Sequence, residues 1–478
     1  MTSTNSQPVR QILSWGLPSI IVASYLVLRL QPELRSAFPT LIGATCVIVI
    51  SLGIILYAGT KELVGWSPGV ILLISIILRA LFLFSPPQLS DDIYRYLWDG
   101  LQVLHGQNPY SEVPLNAPPP DGASLELLRL MNHPELGTIY PPVAQFFFAA
   151  GAYLGAGPLG FKALLALLDS ISCILIIKML LRAGLPAWHA AIYAWHPLPV
   201  LEIGSSGHID GLGIFFLFFT LSLLQTLTCI PSIKAHPPSR SGQGPAKYLL
   251  IAVSAGFTFA CAMLVKLFPL IFLPGIFMLA GKRFRSPLSA GILAGLTLLT
   301  VPFLPQIKNL FFVLNIYLLN WEFAGFAFRT LRKLISSGSL ARLILASIFL
   351  FISAAVWLRL FAMLHRVPGN SQGSFRGQGC APSNRYFLEC MGTFCWICMA
   401  YLLLTPTLHP WYALYLVCLL PFAPGAAGLA LTWAVFLSYR VVAFKAFSGQ
   451  WVENDWIPLL IWVAPVLAFL IARFHLRI

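Results

Sequence analysis

Charge is what this sequence has least of. Asp, Glu, Lys and Arg make up 10% of its 478 residues and hydrophobic residues 58%, against about 25% and about 45–50% in ordinary soluble domains. That leaves too little charge to clothe several water-exposed surfaces, which excludes a water-soluble enzyme. Cysteine is sparse as well, at 9 residues. Most of it, including Cys395 and Cys398, lies within apolar stretches without a second Cys/His pair at zinc spacing, so neither a disulfide scaffold nor a structural zinc site is expected. No small-residue cleavage site follows the first apolar run, which therefore reads as a span rather than a removable signal. What the sequence does have is apolar runs of about 20 residues recurring along its length, the pattern of a polytopic membrane protein.

Candidate spans fall near 12–30, 39–59, 66–86, 160–182, 186–204, 208–229, 247–265, 267–281, 287–304, 341–363, 387–405, 409–424, 427–444 and 457–474. The expectation is one all-α integral-membrane domain over residues 1–478, with about 11–14 transmembrane helices. A net charge of +14 would suggest nucleic acid in a soluble protein. Here Lys and Arg cluster in short connectors, so the excess reports orientation, and no nucleic-acid partner is expected. An N-terminus on the cytoplasmic side puts Lys61, Lys178 and Arg182, the Lys234–Lys247 loop, Lys282, Arg283 and Arg285, the Arg366–Arg385 loop and Arg473 with Arg477 all in the cytoplasm. Residues 140–157 would invert that pattern as a full crossing, so they read as a re-entrant or surface-lying helix. The Ser/Pro/Gly-rich stretches 231–246 and 364–386 read as cytoplasmic linkers.

The acids are concentrated elsewhere. The loop 87–139 holds Asp91, Asp92, Asp99, Glu112, Asp121, Glu126 and Glu135, seven of the 16 in the chain, and orientation makes it the large first exoplasmic loop. It opens with SDDIYRYLWDG, where Tyr94, Leu97, Trp98, Leu101 and Leu104 recur at helical spacing, predicting an amphipathic helix on the membrane surface. Asp91 and Asp92 stand where the preceding span leaves the bilayer, a position that suits a base acting on a group delivered from lipid. Helix capping by Ser90 and the two aspartates is the competing explanation. Other polar islands fall on the same side: GSSGHID with His208 and Asp210, the 305–340 loop with Trp321, Glu322 and several cations, and TPTLHPWY with His409, Trp411 and Tyr412. Singly, each His or Trp reads as an interfacial anchor. Asp169, Glu202 and Lys266 lie in or at the ends of apolar runs, either as functional groups or as an internal Asp–Lys pair.

An exoplasmic site has no access to cytoplasmic nucleotide sugars, so an activated substrate must arrive in the membrane, and a lipid-phosphate-linked sugar carries its own leaving group. Glycosyl transfer then needs a carboxylate as base, Asp91 or Asp92, and cations for the departing phosphate, with Arg95, Lys266, Arg329 and Arg332 as candidates. A single base predicts inversion at the anomeric carbon, by analogy with glycosidases. Asp–Asp pairs can hold Mg²⁺ or Mn²⁺, although no companion ligand set is evident.

SDDIYRYLWDG with GQNPY, then HPELGTIYPPVAQ, YAWHPLPVLEIGSSGHIDGLG, VKLFPL and LHPWY, resemble the GT-C superfamily of integral-membrane glycosyltransferases, and within it family 87 and the polyprenol-phosphate-mannose-dependent mannosyltransferases. The resemblance runs from about residue 90 to 415. It implies an inverting enzyme of the bacterial plasma membrane, facing the periplasm or exterior, that moves a hexose, mannose above all, from a polyprenyl-phosphate donor to a glycan or glycolipid acceptor. The acid of the first exoplasmic loop would be the base, and the resemblance does not choose between Asp91 and Asp92. Arg95, Tyr96, Asp99, Asn108, Tyr110, Tyr140, His208, Asp210, Lys266, Glu322, His409, Trp411 and Tyr412 are the substrate-contacting or cavity-shaping candidates. A lipid-linked-sugar flippase or other transporter is the rival, although the inverted repeats typical of transporters are not evident.

Overall fold

The computed structural model describes residues 6–155, 157–228, 245–365 and 382–475. Among them there is no β-strand, only isolated bridges joining Phe323 and Ala324 to Thr407. Among the described residues ten helical segments are long and apolar enough to cross a bilayer, and the 16-residue helix Pro68–Leu83 adds a shorter one. The chain is an integral membrane protein. The segment Phe268–Asn320 is broken at Gly281, which takes φ 68°, a left-handed conformation cheap only for glycine, and again by the 3₁₀ turn Val301–Gln306. The first break falls at 281, where the sequence divides one expected span from the next. Most of the expected linkers 231–246 and 364–386 lies outside the described residues, and helices reach into their ends at Pro245, His365 and Pro382.

Two expected spans are not continuous helices. Residues 186–204 form short turns, Ala187–Ala190 and Ala191–Ala194, and then a π-helical Pro199–Ser205. Residues 409–424 form Pro410–Ala413 and Leu414–Val417. Proline accounts for the breaks, since it removes a backbone donor and clashes with the preceding turn. Nearly every residue from Trp188 to Ile214 is buried, which is where a membrane protein tolerates irregular backbone.

The ends of the bundle can be told apart by bonds. Arg35 after the first span meets Asp91 after the third, Lys162 near the start of Pro158–Arg182 donates to the Phe82 carbonyl at 2.7 Å, and Lys266 at the end of Pro245–Val265 meets Asp210 at the start of Asp210–Thr228. These groups mark one end. The helices leaving it finish at Lys61 and Arg182, and Asn384 bonds the Arg182 carbonyl at 2.9 Å, so these basic connectors share the other end.

The helix Pro142–Tyr153, at 12 residues, is about 18 Å long, well short of the roughly 30 Å hydrocarbon core. A Cβ on Gly160 would lie 2.8 Å from the Gly151 carbonyl, and Lys162 then returns to the Asp91 end, so the helix enters and leaves on one side. It also covers the amphipathic helix of the acidic loop, Asp92–Leu104, whose Ile93, Tyr96, Trp98 and Gly100 are buried. A Cβ on Gly100 would stand 2.2 Å from the Phe148 carbonyl. The apolar face expected against the membrane surface is largely covered within the loop itself, where Trp98 packs with Leu127 and Met131 and Tyr94, Leu97 and Leu101 lie against them, while Leu104 stays 41% exposed.

Small residues set the closest crossing. A Cβ on Gly256 would lie 2.0 Å from the Leu288 carbonyl, and one on Gly291 2.0 Å from that of Val253, so Pro245–Val265 and Leu273–Thr300 touch backbone to backbone. Gly291→Val should lower stability by about 1–3 kcal/mol or more, read as a drop in thermal midpoint in detergent. Gly53→Ala, where nothing lies within 4 Å, should leave the midpoint in place.

Candidate functional site

At the Asp91 end the helices part around a cavity of about 870 Å³. One wall is the acidic loop, with Asp91, Asp92, Arg95 and Tyr140. A second is Lys266 with His409, Trp411 and Tyr412, and a third is Tyr317, Trp321, Glu322 and Phe323. The C-terminal spans close it with Tyr439, Lys445 and Trp451, beside Arg35.

Local structure aims the two aspartates apart. Ser90 Oγ accepts from the Asp92 amide at 3.2 Å, and Asp91, at the N-cap position, makes no side-chain capping bond. Serine thus satisfies the first helical amide, and neither carboxylate is spent on capping. Asp91 is ion-paired with Arg35. The Asp92 carboxylate, 24% exposed, accepts from the Tyr140 hydroxyl at 3.4 Å and lies 3.8 Å from His208 Nδ1. Burial raises the Asp92 pKa above the usual carboxylate range, with Asp91 and Asp210 adding to the shift and Lys266 and Asn132 opposing it.

The opposite wall depends on its prolines and on the bridge between loops. Phe323 N donates to Pro406 O at 3.1 Å and Leu408 N to Phe323 O at 2.7 Å, which locks the Trp321–Phe323 turn onto the His409–Tyr412 turn. A row of rings results: Phe323 on His409 at 4.8 Å, His409 on Trp411 at 4.4 Å, and Trp411 on His208 at 4.0 Å. Burial, helped by Lys266, holds the His409 pKa down at about 3 and that of His208 well below normal, so both rings are neutral. Lys266 reaches both Asp210 oxygens at 2.9 Å and stands 4.8 Å from the Tyr412 ring centre.

Of the residues singled out from sequence, Asp91, Asp92, Arg95, Tyr140, Lys266, Glu322, His409, Trp411 and Tyr412 line the cavity. Others form a layer behind it. Tyr96 stacks on Phe148 at 4.4 Å, Asp99 bonds Arg95 at 2.9 Å, and Asp210 and His208 are buried behind Lys266 and Trp411. Asn108 and Tyr110 are fasteners: Asn108 Nδ2 donates to Gln306 at 2.7 Å and the Tyr110 hydroxyl to the Tyr140 carbonyl at 2.7 Å. Arg329 and Arg332, expected near a phosphate, do not line the cavity; they are neutralised by Glu453 and Glu322. Glu322 is further held by Arg342 at 3.2 Å. Asp169 is paired inside the bundle, but with Arg79 rather than a lysine. Among the described residues no three His, Cys, Asp or Glu side chains are grouped to hold a metal ion.

Arg35, Tyr317, Tyr439, Lys445 and Trp451 were not anticipated. The available signal was cations on the acid-rich side: Arg35 in the first connector, and Lys445 at the wrong end of its span for the charge rule.

A family model described as alpha-(1→6)-mannopyranosyltransferase, N-terminal domain, matches residues 36–282, more than half of the chain. Searches of curated proteins and of solved structures found no match.

Proposed function

The chain belongs to the alpha-(1→6)-mannopyranosyltransferase family, and from that premise we propose that this integral-membrane mannosyltransferase inverts a β-linked polyprenyl-phosphate-mannose donor, with Asp92 as general base toward a glycan or glycolipid hydroxyl. A lone base gives direct displacement, and an α product formed by inversion requires a β donor. The observation that carries the reading is the Asp92 carboxylate, turned into an 870 Å³ cavity with no cation bonded to it among the described residues, whereas Asp91 is bound by Arg35. A base with a raised pKa is the stronger one at neutral pH.

Charge supports an exoplasmic site. The cavity stands at the end opposite Lys61 and Arg182, so the positive-inside rule turns it to the exoplasm, the periplasm or exterior of a bacterial plasma membrane. No nucleotide sugar is available there, which is why the donor is lipid-borne, in the manner of GT-C enzymes. The family argues against the flippase reading. Purified protein in vesicles should move labelled mannose from polyprenyl-phosphate-mannose to acceptor in an α-mannosidase-sensitive linkage, and should not use GDP-mannose. Direct transfer from GDP-mannose would overturn the donor assignment.

The donor phosphate needs a cation. Arg35, Arg95 and Lys266 on the cavity wall are each paired with an aspartate. Lys445 is exposed at the rim, 5.8 Å from the Trp451 ring centre, and no carboxylate bonds it among the described residues. We assign it the phosphate. Lys445→Ala should raise the donor KM by about tenfold, the scale of one charged hydrogen bond, with kcat changed less, and Lys445→Arg should restore it.

A further inference from the structure

Behind Asp92 lies a buried row of polar groups that the proposed transfer leaves without a task. His208 is 1% exposed, with Nδ1 3.8 Å from Asp92 Oδ2 and Nε2 3.4 Å from Glu202 Oε2. Neither ring nitrogen has a hydrogen bond among the described residues. Glu202 is completely buried and accepts from the Tyr439 hydroxyl at 2.7 and 2.8 Å.

The backbone builds this row on purpose-made geometry. The π-helical Pro199–Ser205 brings Glu202 back under the following turn, and the His208 amide donates to the Glu202 carbonyl at 2.8 Å. Gly207, at φ 75°, carries the turn so close to the Asp92 helix that a Cβ would meet Ile93 Cδ1 at 2.5 Å. Trp411 lies flat on the imidazole, 22° from parallel. The ring cannot tumble, so its two nitrogens stay pointed at two carboxyl groups.

Resting on the reading of Asp92 as base, we infer that His208 is its positioning residue, with Nδ1–H holding the Asp92 carboxylate from behind and a protonated Glu202, fixed by Tyr439, donating to Nε2. Two ionised carboxylates on either side of one buried neutral ring would repel and be poorly solvated. One proton on Glu202, the group farther from water, resolves this. Every donor then has an acceptor: Tyr439 O–H to Glu202 Oε1, Glu202 Oε2–H to His208 Nε2, and His208 Nδ1–H to Asp92 Oδ2. Asp92 Oδ1 is left for the acceptor sugar. As the acceptor oxygen bonds the anomeric carbon, its proton passes to Oδ1 and the carbon–oxygen bond to phosphate breaks with its electron pair on the phosphate. The imidazole proton stays where it is. Hydrogen bonds of this kind often reach full strength only in the substrate complex.

The other ionisable groups facing Asp92 and His208 are Lys266 with Asp210, His409, Asp91 with Arg35, and the phenols Tyr96 and Tyr140. The test leaves all of them intact and follows kcat, donor KM and the acid limb of the pH–rate profile in reconstituted full-length protein. His208→Ala should lower kcat by roughly ten- to a hundredfold, the scale of a hydrogen bond to a charged group, with donor KM little changed. It should also move the acid limb to higher pH, because Asp92 loses a donor that favours its charged form. His208→Asn, whose amide nitrogen falls near Nδ1, should recover most of the rate, and His208→Gln should not. Glu202→Gln, which keeps an acceptor for Tyr439 and a donor for Nε2, should stay near wild type, while Glu202→Ala should resemble His208→Ala. An unshifted acid limb in His208→Ala, equal rates for Asn and Gln at 208, or Glu202→Gln as weak as Glu202→Ala would each overturn the inference. If His208→Ala fails to fold, the Asn and Gln pair decides. Activity in Asp92→Asn would instead sink the base assignment itself.

Discussion

Asp92→Asn should lower the rate of mannosyl transfer by roughly 10³-fold, within the range that a positioned general base contributes, without harming the fold. The second half of that expectation comes from the direction of the Asp92 pKa. Burial raises it in the folded protein, so the folded state holds its proton more tightly than the unfolded chain does. As pH rises through the unfolded carboxylate value, about 3.9, and on through the raised folded value, the folded state loses stability relative to the unfolded one. At neutral pH the wild type therefore carries a penalty that asparagine lacks, and Asp92→Asn should melt at the same temperature or higher. Below pH 4 the difference should vanish. With Asp92 as the proposed base, the wild-type rate should fall on acidification through a value above the usual carboxylate range. Thermal melts and initial rates on one purified preparation check both. A variant that is inactive and also less stable at neutral pH would indicate a structural Asp92.

Asp91→Asn should behave differently, since its carboxylate is already committed to Arg35. Removing it frees a guanidinium at the cavity rim, so the effect should fall on donor KM more than on kcat. The doublet could not be divided from sequence because both members sit at the same helix start. What separates them is Arg35, 56 residues away in sequence from Asp91.

The long spans were legible because a bilayer demands about 20 apolar residues and tolerates few charges, and the recurrent runs met that demand wherever the helix is continuous. Legibility failed where proline broke the helix. Residues 186–204 look like one more span in composition, yet Pro197 and Pro199 convert them into turns and a π-helix that carry Glu202 and lead to His208. The convergence of GSSGHID, the Trp321 turn and LHPWY on the aspartate doublet was expected from their shared side of the membrane. The C-terminal wall was not, since Tyr439 and Lys445 sit in a segment that reads as an ordinary span with two stray cations. Those cations were the clue: charge on the side that the positive-inside rule leaves bare calls for an explanation. Arg329 and Arg332 had the same signal, and there the explanation is ion pairing: Arg332 with Glu322 in its own loop, and Arg329 with Glu453, 124 residues away.

The largest stability effect should come from a pair remote from the cavity. Arg79 and Asp169, each with a side chain 1% exposed, bond at 2.5 Å. Arg79 also donates to the Ser75 and Ala194 carbonyls at 3.0 and 2.9 Å, and the Tyr193 hydroxyl donates to Asp169. One guanidinium thus ties the short helix Pro68–Leu83 to Pro158–Arg182 and to the broken segment that carries Glu202 and His208. Asp169→Ala strands a buried cation and should cost about 3–5 kcal/mol, seen as a collapse of the thermal midpoint and of expression. Arg79→Leu combined with Asp169→Leu removes both charges and refills the space, and such replacements are often neutral or even stabilising. The double variant should therefore be far more stable than Asp169→Ala. Its transfer rate per folded molecule tells more than its stability, because Ala194 and Tyr193 lead directly into the turn holding Glu202. A stable but slow double variant would mean that the pair is kept to place the broken segment. A stable and fully active one would confine its role to packing, and a double variant no better than Asp169→Ala would show that the two charges do not act as a pair.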